Sequence, residues 1–282
     1  MIQTDRIQMF RQLSVRLALG LVMLLGVAGC GKPPLSVVVF IEATPWPQVN
    51  EKILNKYLTP VYERLVQTQK AVHLEVYAIT ANTEADTAVL TLDLPKGWRT
   101  TEEAEALAGE FRSLQERYQR VYPPGSSHLV DVLGATIVLD GFLGRTPAGS
   151  PVHVIYLSDM VQQEELGAEE RSDRYDFTDR QNAKTLDQCR QDLEPVFNRF
   201  LSHRDRFPDV AAYLVPLGMD EILREGSTQT GVVTEYVVPA TTTNQDEIRK
   251  FWQQDFFGAF LKVKSVALYL GGVQRALDDI GL

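Results

Sequence analysis

The run Val37-Val38-Val39-Phe40-Ile41 constrains the fold more than any other stretch of the chain. Four of its five residues are β-branched, which favours an extended backbone, and none is polar on either face. A strand with two apolar faces belongs inside a mostly parallel sheet that is covered on both sides by helices. The run ends in Glu42, followed by a hydroxyl at Thr44 and by Pro45-Trp46-Pro47. Open α/β sheets place their ligands just outside the carboxyl ends of their strands, so this exit is the first place to look for a site.

Helix and strand signals alternate along the rest of the chain. Val49, Ile53, Tyr57, Val61 and Leu65 lie at helical spacing over 48–66, and Pro60 is expected to kink or restart that helix. Strands are predicted at 73–80, 87–94, 151–159 and 209–218, with an edge strand at 231–240 and a last one within "VKSVALYLGG". Thr100 and Glu103 form a capping box before a helix with Leu107, Phe111, Leu114 and Tyr118 on one face. Ser126 or Ser127 is expected to cap the helix containing "LVDVLGATIVL", and Asn244 with Glu247 makes a second capping box. Residues 185–203 read as partly irregular helix. Residues 161–184 are dense in charges of both signs and are expected to be a polar insertion, a solvated loop or hairpin. The fold class implied is α/β: a doubly wound, mostly parallel open sheet with helices on both faces.

The beginning of the chain follows a different logic. Arg6, Arg11 and Arg16 precede an apolar run, Leu17 to Val27, that is shorter than the roughly 20 residues needed to span hydrocarbon. The run ends in small residues and a cysteine, and "LLGVAGC" resembles a bacterial lipobox. That resemblance implies a signal peptide at 1–29, a Cys30 carrying acyl chains such as palmitate, and a tether at 30–36. The α/β domain would then occupy 37–282. Acyl chains would hold the protein at a membrane without a spanning helix, in the cell envelope and facing the periplasm or the exterior. Loss of residues 1–29 removes three Arg and one Asp, moving the formal net charge from −9 to −11. Such an acidic chain is a poor match for nucleic acid, so membrane contact is expected through the lipid anchor alone. Apart from Cys30 there is only Cys189, which rules out a cysteine metal cluster or a disulfide framework.

The motifs that would announce a particular chemistry are missing. The chain has no GxxxxGK[ST], no GxGxxG, no HExxH and no GxSxG. His73, His128, His153 and His203 fall in separate elements without ligand-like spacing. Ser158 and Asp159 end a predicted central strand, but the sequence offers no histidine partner for a nucleophile there. Trp252 and Phe256-Phe257 sit on a helix as core residues would.

Taken together, "FIEATPW", "VDVLGA" and "IYLSDM" resemble the three motifs of the von Willebrand factor type A domain. The resemblance extends over residues 35–270, with "VAAYLVPLG" and "IRKFWQQDFF" similar to the ends of such domains in bacterial extracytoplasmic proteins. In that family the first strand ends in Asp-x-Ser-x-Ser, a later turn supplies a threonine, and the fourth strand ends in an aspartate; together they hold a divalent ion. Here Glu42 stands for the first aspartate, Thr44 keeps a hydroxyl, and Asp159 stands for the last. Trp46 and Val130 replace two oxygen donors, and neither an indole N–H nor a valine can ligate a cation. Magnesium requires close, near-octahedral oxygen ligands, so the resemblance implies a degenerate site at Glu42, Thr44 and Asp159. The competing account is that the two carboxylates cap nearby helix N-termini.

No cofactor is expected, with Mg²⁺ the one ion that the surviving donors suggest. The reading is a lipid-anchored extracytoplasmic binding or scaffolding protein, not an enzyme, that recognises a protein partner. Contact would be made through the C-terminal edge of the sheet, with Trp46 and Ser158 as candidate contact residues and no small-molecule substrate. The alternative is an envelope hydrolase using Glu42 and Asp159 as paired carboxylates, with or without a metal.

Overall fold

The computed structural model describes residues 33–80, 83, 88–97, 99–121, 130–162, 175–177, 184–217, 245–270 and 272–282. The apolar run forms β1 (Leu35–Glu42), and its alternate side chains enter two separate cores. Val37, Val39 and Ile41 face one side of the sheet, and Val38 and Phe40 face the other. This is the two-residue period of an extended chain acting on a strand with no polar face.

On the first side, α1 (Pro47–Ile53) runs through a π turn (Leu54–Leu58) into α2 (Thr59–Gln67). Pro60 explains the break. In a regular helix its ring would press on the Lys56 carbonyl four residues back. The wider π turn relieves that crowding, and the Thr59 N–H bonds instead to the carbonyl of Leu54. The chain returns as β2 (Val72–Ile79), parallel to β1, then as β3 (Leu90–Leu94), antiparallel to β2. The predicted capping box holds: the Thr100 hydroxyl accepts from the Glu103 N–H, and the Glu103 side chain accepts from the Thr100 N–H, opening α3 (Thr101–Gln119).

The next helix, α4 (Val132–Arg145), is capped by Asp131. The expected caps, Ser126 and Ser127, lie outside the described residues, as do His128, Asn244, Cys30 and the strand expected at 231–240. Strand β4 (Val152–Leu157) pairs parallel with β1. Then come α5 (Leu186–Asp192), two short 3-10 turns (Phe197–Phe200 and Arg204–Asp209) and β5 (Val210–Val215). Helix α6 (Gln245–Lys250) passes directly into a π-helical stretch (Phe251–Phe260). Its aromatic residues pair five apart, with Phe251–Phe256 centroids at 6.0 Å and Trp252–Phe257 at 6.2 Å. Strand β6 (Ser265–Leu268) closes the sheet, and α7 (Gln274–Ile280), not foreseen from the sequence, ends the chain.

The strand order is β3-β2-β1-β4-β5-β6, parallel except for β3. The face carrying Val39 packs against α1, α2, α3 and α7, and the face carrying Phe40 against α4, α5 and the aromatic π stretch. The fold is thus the expected α/β, doubly wound sheet, formed within a unit running from Pro34 to Leu282. Of the segment 161–184, expected to be solvated, five of the six described residues are not; Lys184 is partly exposed. Val161, Gln162, Tyr175, Asp176 and Phe177 are all buried, because Phe177 packs edge-on against Phe251 and its N–H bonds to the Gln162 carbonyl. Among the described residues, no helix is long and apolar enough to cross a membrane.

One strand residue gives the fold a pH signature. His153, in β4, stacks on Tyr213 with its Nδ1 3.0 Å from the Tyr213 hydroxyl. Burial, and then the positive charges of Lys264 and Lys70, push its pKa down from 6.5 to about 4. Between these values the unfolded chain binds a proton that the folded chain does not. Stability therefore falls as pH drops from about 6.5 to about 4. Urea denaturation across that window should show the slope, and His153→Phe should flatten it; an identical slope in the variant would contradict the assignment.

Candidate functional site

Strands β1 and β4 are neighbours, yet β1 leads to β2 on one side and β4 to β5 on the other. This is a topological switch point, where the strand ends diverge and leave room for a site. The register pairs Ile41 with Leu157, so the next residues, Glu42 and Ser158, emerge together.

Glu42 is completely buried. Its Oε2 accepts a hydrogen bond from the Ser158 hydroxyl at 2.9 Å and another from the Asp159 N–H at 2.9 Å. The Glu42 carbonyl accepts from the Tyr118 hydroxyl of α3. Ser158, also fully buried, accepts in turn from the Met160 N–H at 3.0 Å. Asp159 Oδ1 accepts from the Val161 N–H at 2.8 Å, a local turn of the kind Asp favours. Met160 has φ +64°, a left-handed conformation that costs a non-glycine residue roughly 1–2 kcal/mol. It is held there by its N–H on Ser158 and by the Trp252 indole N–H, which donates to the Met160 carbonyl at 2.8 Å. The aromatic π stretch is thereby tied to the loop that leaves β4.

Thr44 belongs to a second network, centred on Asn50 of α1. Asn50 Oδ1 accepts from the Thr44 N–H at 2.8 Å, and Asn50 Nδ2 donates to the Thr44 carbonyl at 2.7 Å. The Thr44 hydroxyl lies 2.9 Å from Asn50 Oδ1 and 3.1 Å from the Trp46 carbonyl, and accepts from the Trp46 N–H at 3.2 Å. Trp46 is half-buried against the first core and is the N-cap residue of α1. Its carbonyl, rather than its side chain, takes the first N–H groups of that helix, from Val49 and Asn50.

A third group closes the edge over β2. The Asp131 N–H donates to the Thr80 carbonyl at 2.9 Å, and Asp131 Oδ1 accepts from the Gly134 N–H at 2.8 Å and from Gln162 Nε2 at 3.0 Å. Gln162 Oε1 takes the Leu133 N–H at 3.0 Å, so two side chains share the orphan donors of the α4 N-terminus. A Cβ at Gly134 would lie 2.0 Å from Asp131 Oδ2, so this close cap needs glycine.

The structure therefore joins Glu42, Ser158 and Asp159 in one network, and Thr44 with Trp46 in another. Neither Glu42 nor Asp159 caps a helix through these bonds; that role falls to Asp131. Asn50, Tyr118, Asp131 and Gln162 are the site residues that sequence reasoning passed over. Of these, only Asp131 carried a readable signal, as a capping residue three positions before Gly134.

The donor set does not fit the divalent ion that the family resemblance implies. Ser158 spends its hydroxyl on Glu42, Thr44 faces Asn50 and the Trp46 backbone, and Val130 is buried without an oxygen. Among the described residues, no three His, Cys, Asp or Glu side chains come together as a metal would require. The carboxylate of Glu42 instead bridges β1 to the backbone that follows β4.

The strand order, with its lone antiparallel β3, is that of an α/β, doubly wound, mostly parallel sheet. No family model matches the chain, and no curated protein matches its sequence. Among solved structures, it is similar to a von Willebrand factor type A protein from Catenulispora acidiphila, with 12% identity and a TM-score of 0.34 over 64% of this chain and 33% of that one. It is also similar to the pilus adhesin SpaC from Lactobacillus rhamnosus GG in its open conformation, with 10% identity and a TM-score of 0.43 over 88% of this chain and 30% of that one. The chain spans about a third of the length of either protein.

If Glu42 and Ser158 act as one unit, their substitutions are not additive. Ser158→Ala and Glu42→Gln should each cost about 1–3 kcal/mol in urea denaturation, with a coupling energy above about 0.5 kcal/mol in the double-mutant cycle. Strict additivity would show that the two side chains do not depend on one another.

Proposed function

We propose that this chain is a lipid-anchored, extracytoplasmic binding or scaffolding protein that engages a protein partner through the C-terminal edge of its sheet and does so without a bound cation. The observation that carries the reading is the use of Glu42. At the position where such sheets hold ligands, its buried carboxylate is bound to Ser158 and to the Asp159 backbone. An oxygen held in this way, as Oε2 is, stiffens the edge. The same bonds separate the roles of Glu42 and Asp159: Asp159 meets Glu42 through its N–H, and its Oδ1 is turned to Val161. Trp46, half-buried beside this edge, is available to a partner, whereas Ser158 supports the edge from beneath.

Anchoring rests on the sequence at Cys30 and the cationic, apolar leader before it. Two acyl signals suffice for stable membrane attachment, and the acidic remainder offers anionic headgroups little. Palmitate labelling should mark the wild type and fail on Cys30→Ser, with the variant moving from the membrane to the soluble fraction. Label retained on Cys30→Ser would overturn the anchor.

The cation-free part has its own test. A ligand present at about 100 times its Kd adds about 2.7 kcal/mol to the stability of the folded state. Addition of about 10 mM Mg²⁺, far above the Kd of a competent site, should leave the Tm of wild type and of Asp159→Ala equally unmoved. A rise confined to wild type would restore the metal.

A further inference from the structure

The parallel strands β1, β2, β4, β5 and β6 all enter the sheet from one end, and β3 leaves it there. The segments that join helices and strands at this end run against the charge of the chain. Residues 67–71, 95–99, 145–151, 201–209 and 261–264 hold eight Lys and Arg against two Asp, in a chain of formal charge −9.

Much of that positive charge is not cancelled. Lys70 donates to the Gly281 carbonyl, and Arg99 donates to the carbonyls of Pro95 and Lys70. A carbonyl fixes a cation in place without neutralising it. Lys96, Lys262 and Lys264 are exposed. The other three basic residues are paired, Arg145 with Glu75, Arg204 with Glu194 and Arg206 with Asp209. Of the acidic side chains at this end, Asp93 lies 2.7 Å from His73 Nδ1, and Asp205 is exposed on its 3-10 turn. Burial first, and then the charges of Lys264 and Lys70, push down the pKa of His153, so two loops distant in sequence bring their cations to one place.

We infer that this end of the molecule rests on an anionic bilayer surface, with the lysines and arginines of its loops against lipid phosphates. The inference rests on the proposed reading that Cys30 is acylated. Five residues of chain lead from Cys30 to Leu35, which opens β1 at this end. Fully extended they reach at most about 18 Å, and they carry Lys32 as a further cation. The acyl chains supply attachment and the basic end supplies orientation. A chain otherwise repelled by anionic headgroups turns this end toward them.

Phe200 adds an apolar contact. It ends the 3-10 turn that precedes 201–209 and is 53% exposed. With Leu270 it is one of two large apolar side chains so exposed among the described residues. An aromatic ring next to basic side chains, here Arg199, suits the boundary between headgroups and acyl chains.

The test uses the acylated full chain in vesicles of phosphatidylcholine, alone or with about one-third phosphatidylglycerol. The vesicles also carry a lipid with a nitroxide on its headgroup. A bimane is placed on Ala148→Cys at the basic end or on Gln48→Cys in α1, both exposed positions, while Cys189 is buried. Quenching at Ala148→Cys should be about twofold or more stronger with phosphatidylglycerol and fall to the phosphatidylcholine level in about 0.5 M salt. K96E/K262E/K264E should remove the gain, and Phe200→Asp should reduce it. Gln48→Cys should stay unquenched in both vesicles. Thermal unfolding of each variant at the wild-type temperature ensures that a loss reports on the surface. Equal quenching at Ala148→Cys in both vesicles, stronger quenching at Gln48→Cys, or indifference to the lysine substitutions would overturn the inference.

Flotation of the same vesicles separates this from the anchor. Wild type that floats with both kinds supports the anchor, and equal quenching then overturns the basic end alone. Flotation only with phosphatidylglycerol overturns the anchor and leaves the basic end standing. Flotation with neither overturns both.

Discussion

The junction of β1 with the loop that leaves β4 depends on one buried carboxylate. Glu42 is placed at the end of a strand with no polar face, where an ionised side chain without partners would cost several kcal/mol. The fold answers with a hydroxyl and a backbone N–H from the residues that follow the neighbouring strand. Those bonds position Ser158, which fixes Met160 in a left-handed conformation, which in turn offers its carbonyl to Trp252. A chain of dependence runs from β1 through the switch point to the aromatic helix behind the sheet. An edge wired in this way is a rigid platform, and rigidity lowers the entropic cost of docking a partner.

The sheet was legible because its strands are built from uninterrupted apolar runs between polar breaks. Val37 to Ile41 and the strands expected at 73–80, 151–159 and 209–218 all appear, with boundaries shifted by a residue or more. The pattern of the π stretch was also readable as helix, but not its pitch, since apolar positions at 251, 252, 256 and 257 suit either. Pro60 marked a break without saying that a wider turn would absorb it. The last helix was missed because "VQRALDDI" follows two glycines and is only two turns long, too short for a periodic signal.

The site was less legible than the fold, for a physical reason. Which side chains meet across the switch point is set by register and by loop conformation, and neither has a short-range signature. Glu42, Thr44, Ser158 and Asp159 could be picked out as polar residues at strand ends. Their division into two networks could not, because Asn50 reads as a surface position of a helix and is instead buried on Thr44. Gln162 sits at the start of a highly charged segment that reads as solvated, yet it serves the α4 N-terminus. Tyr118 reads as one more apolar contact of α3; only the structure reveals its hydroxyl on the Glu42 carbonyl.

The parallel sheet also gives the molecule a direction. β1 begins at Leu35, two residues inside the expected end of the tether, and carries the chain about 23 Å to Glu42. The central claim is that Glu42 Oε2 and the Ser158 and Thr44 hydroxyls at that edge serve the protein itself. Paramagnetic broadening by Mn²⁺ in an amide NMR spectrum reads this atom by atom. The account predicts that substoichiometric Mn²⁺ leaves the amide signals of Glu42, Thr44 and Asp159 as sharp as those of the buried β1 core; selective loss of those three signals would contradict it.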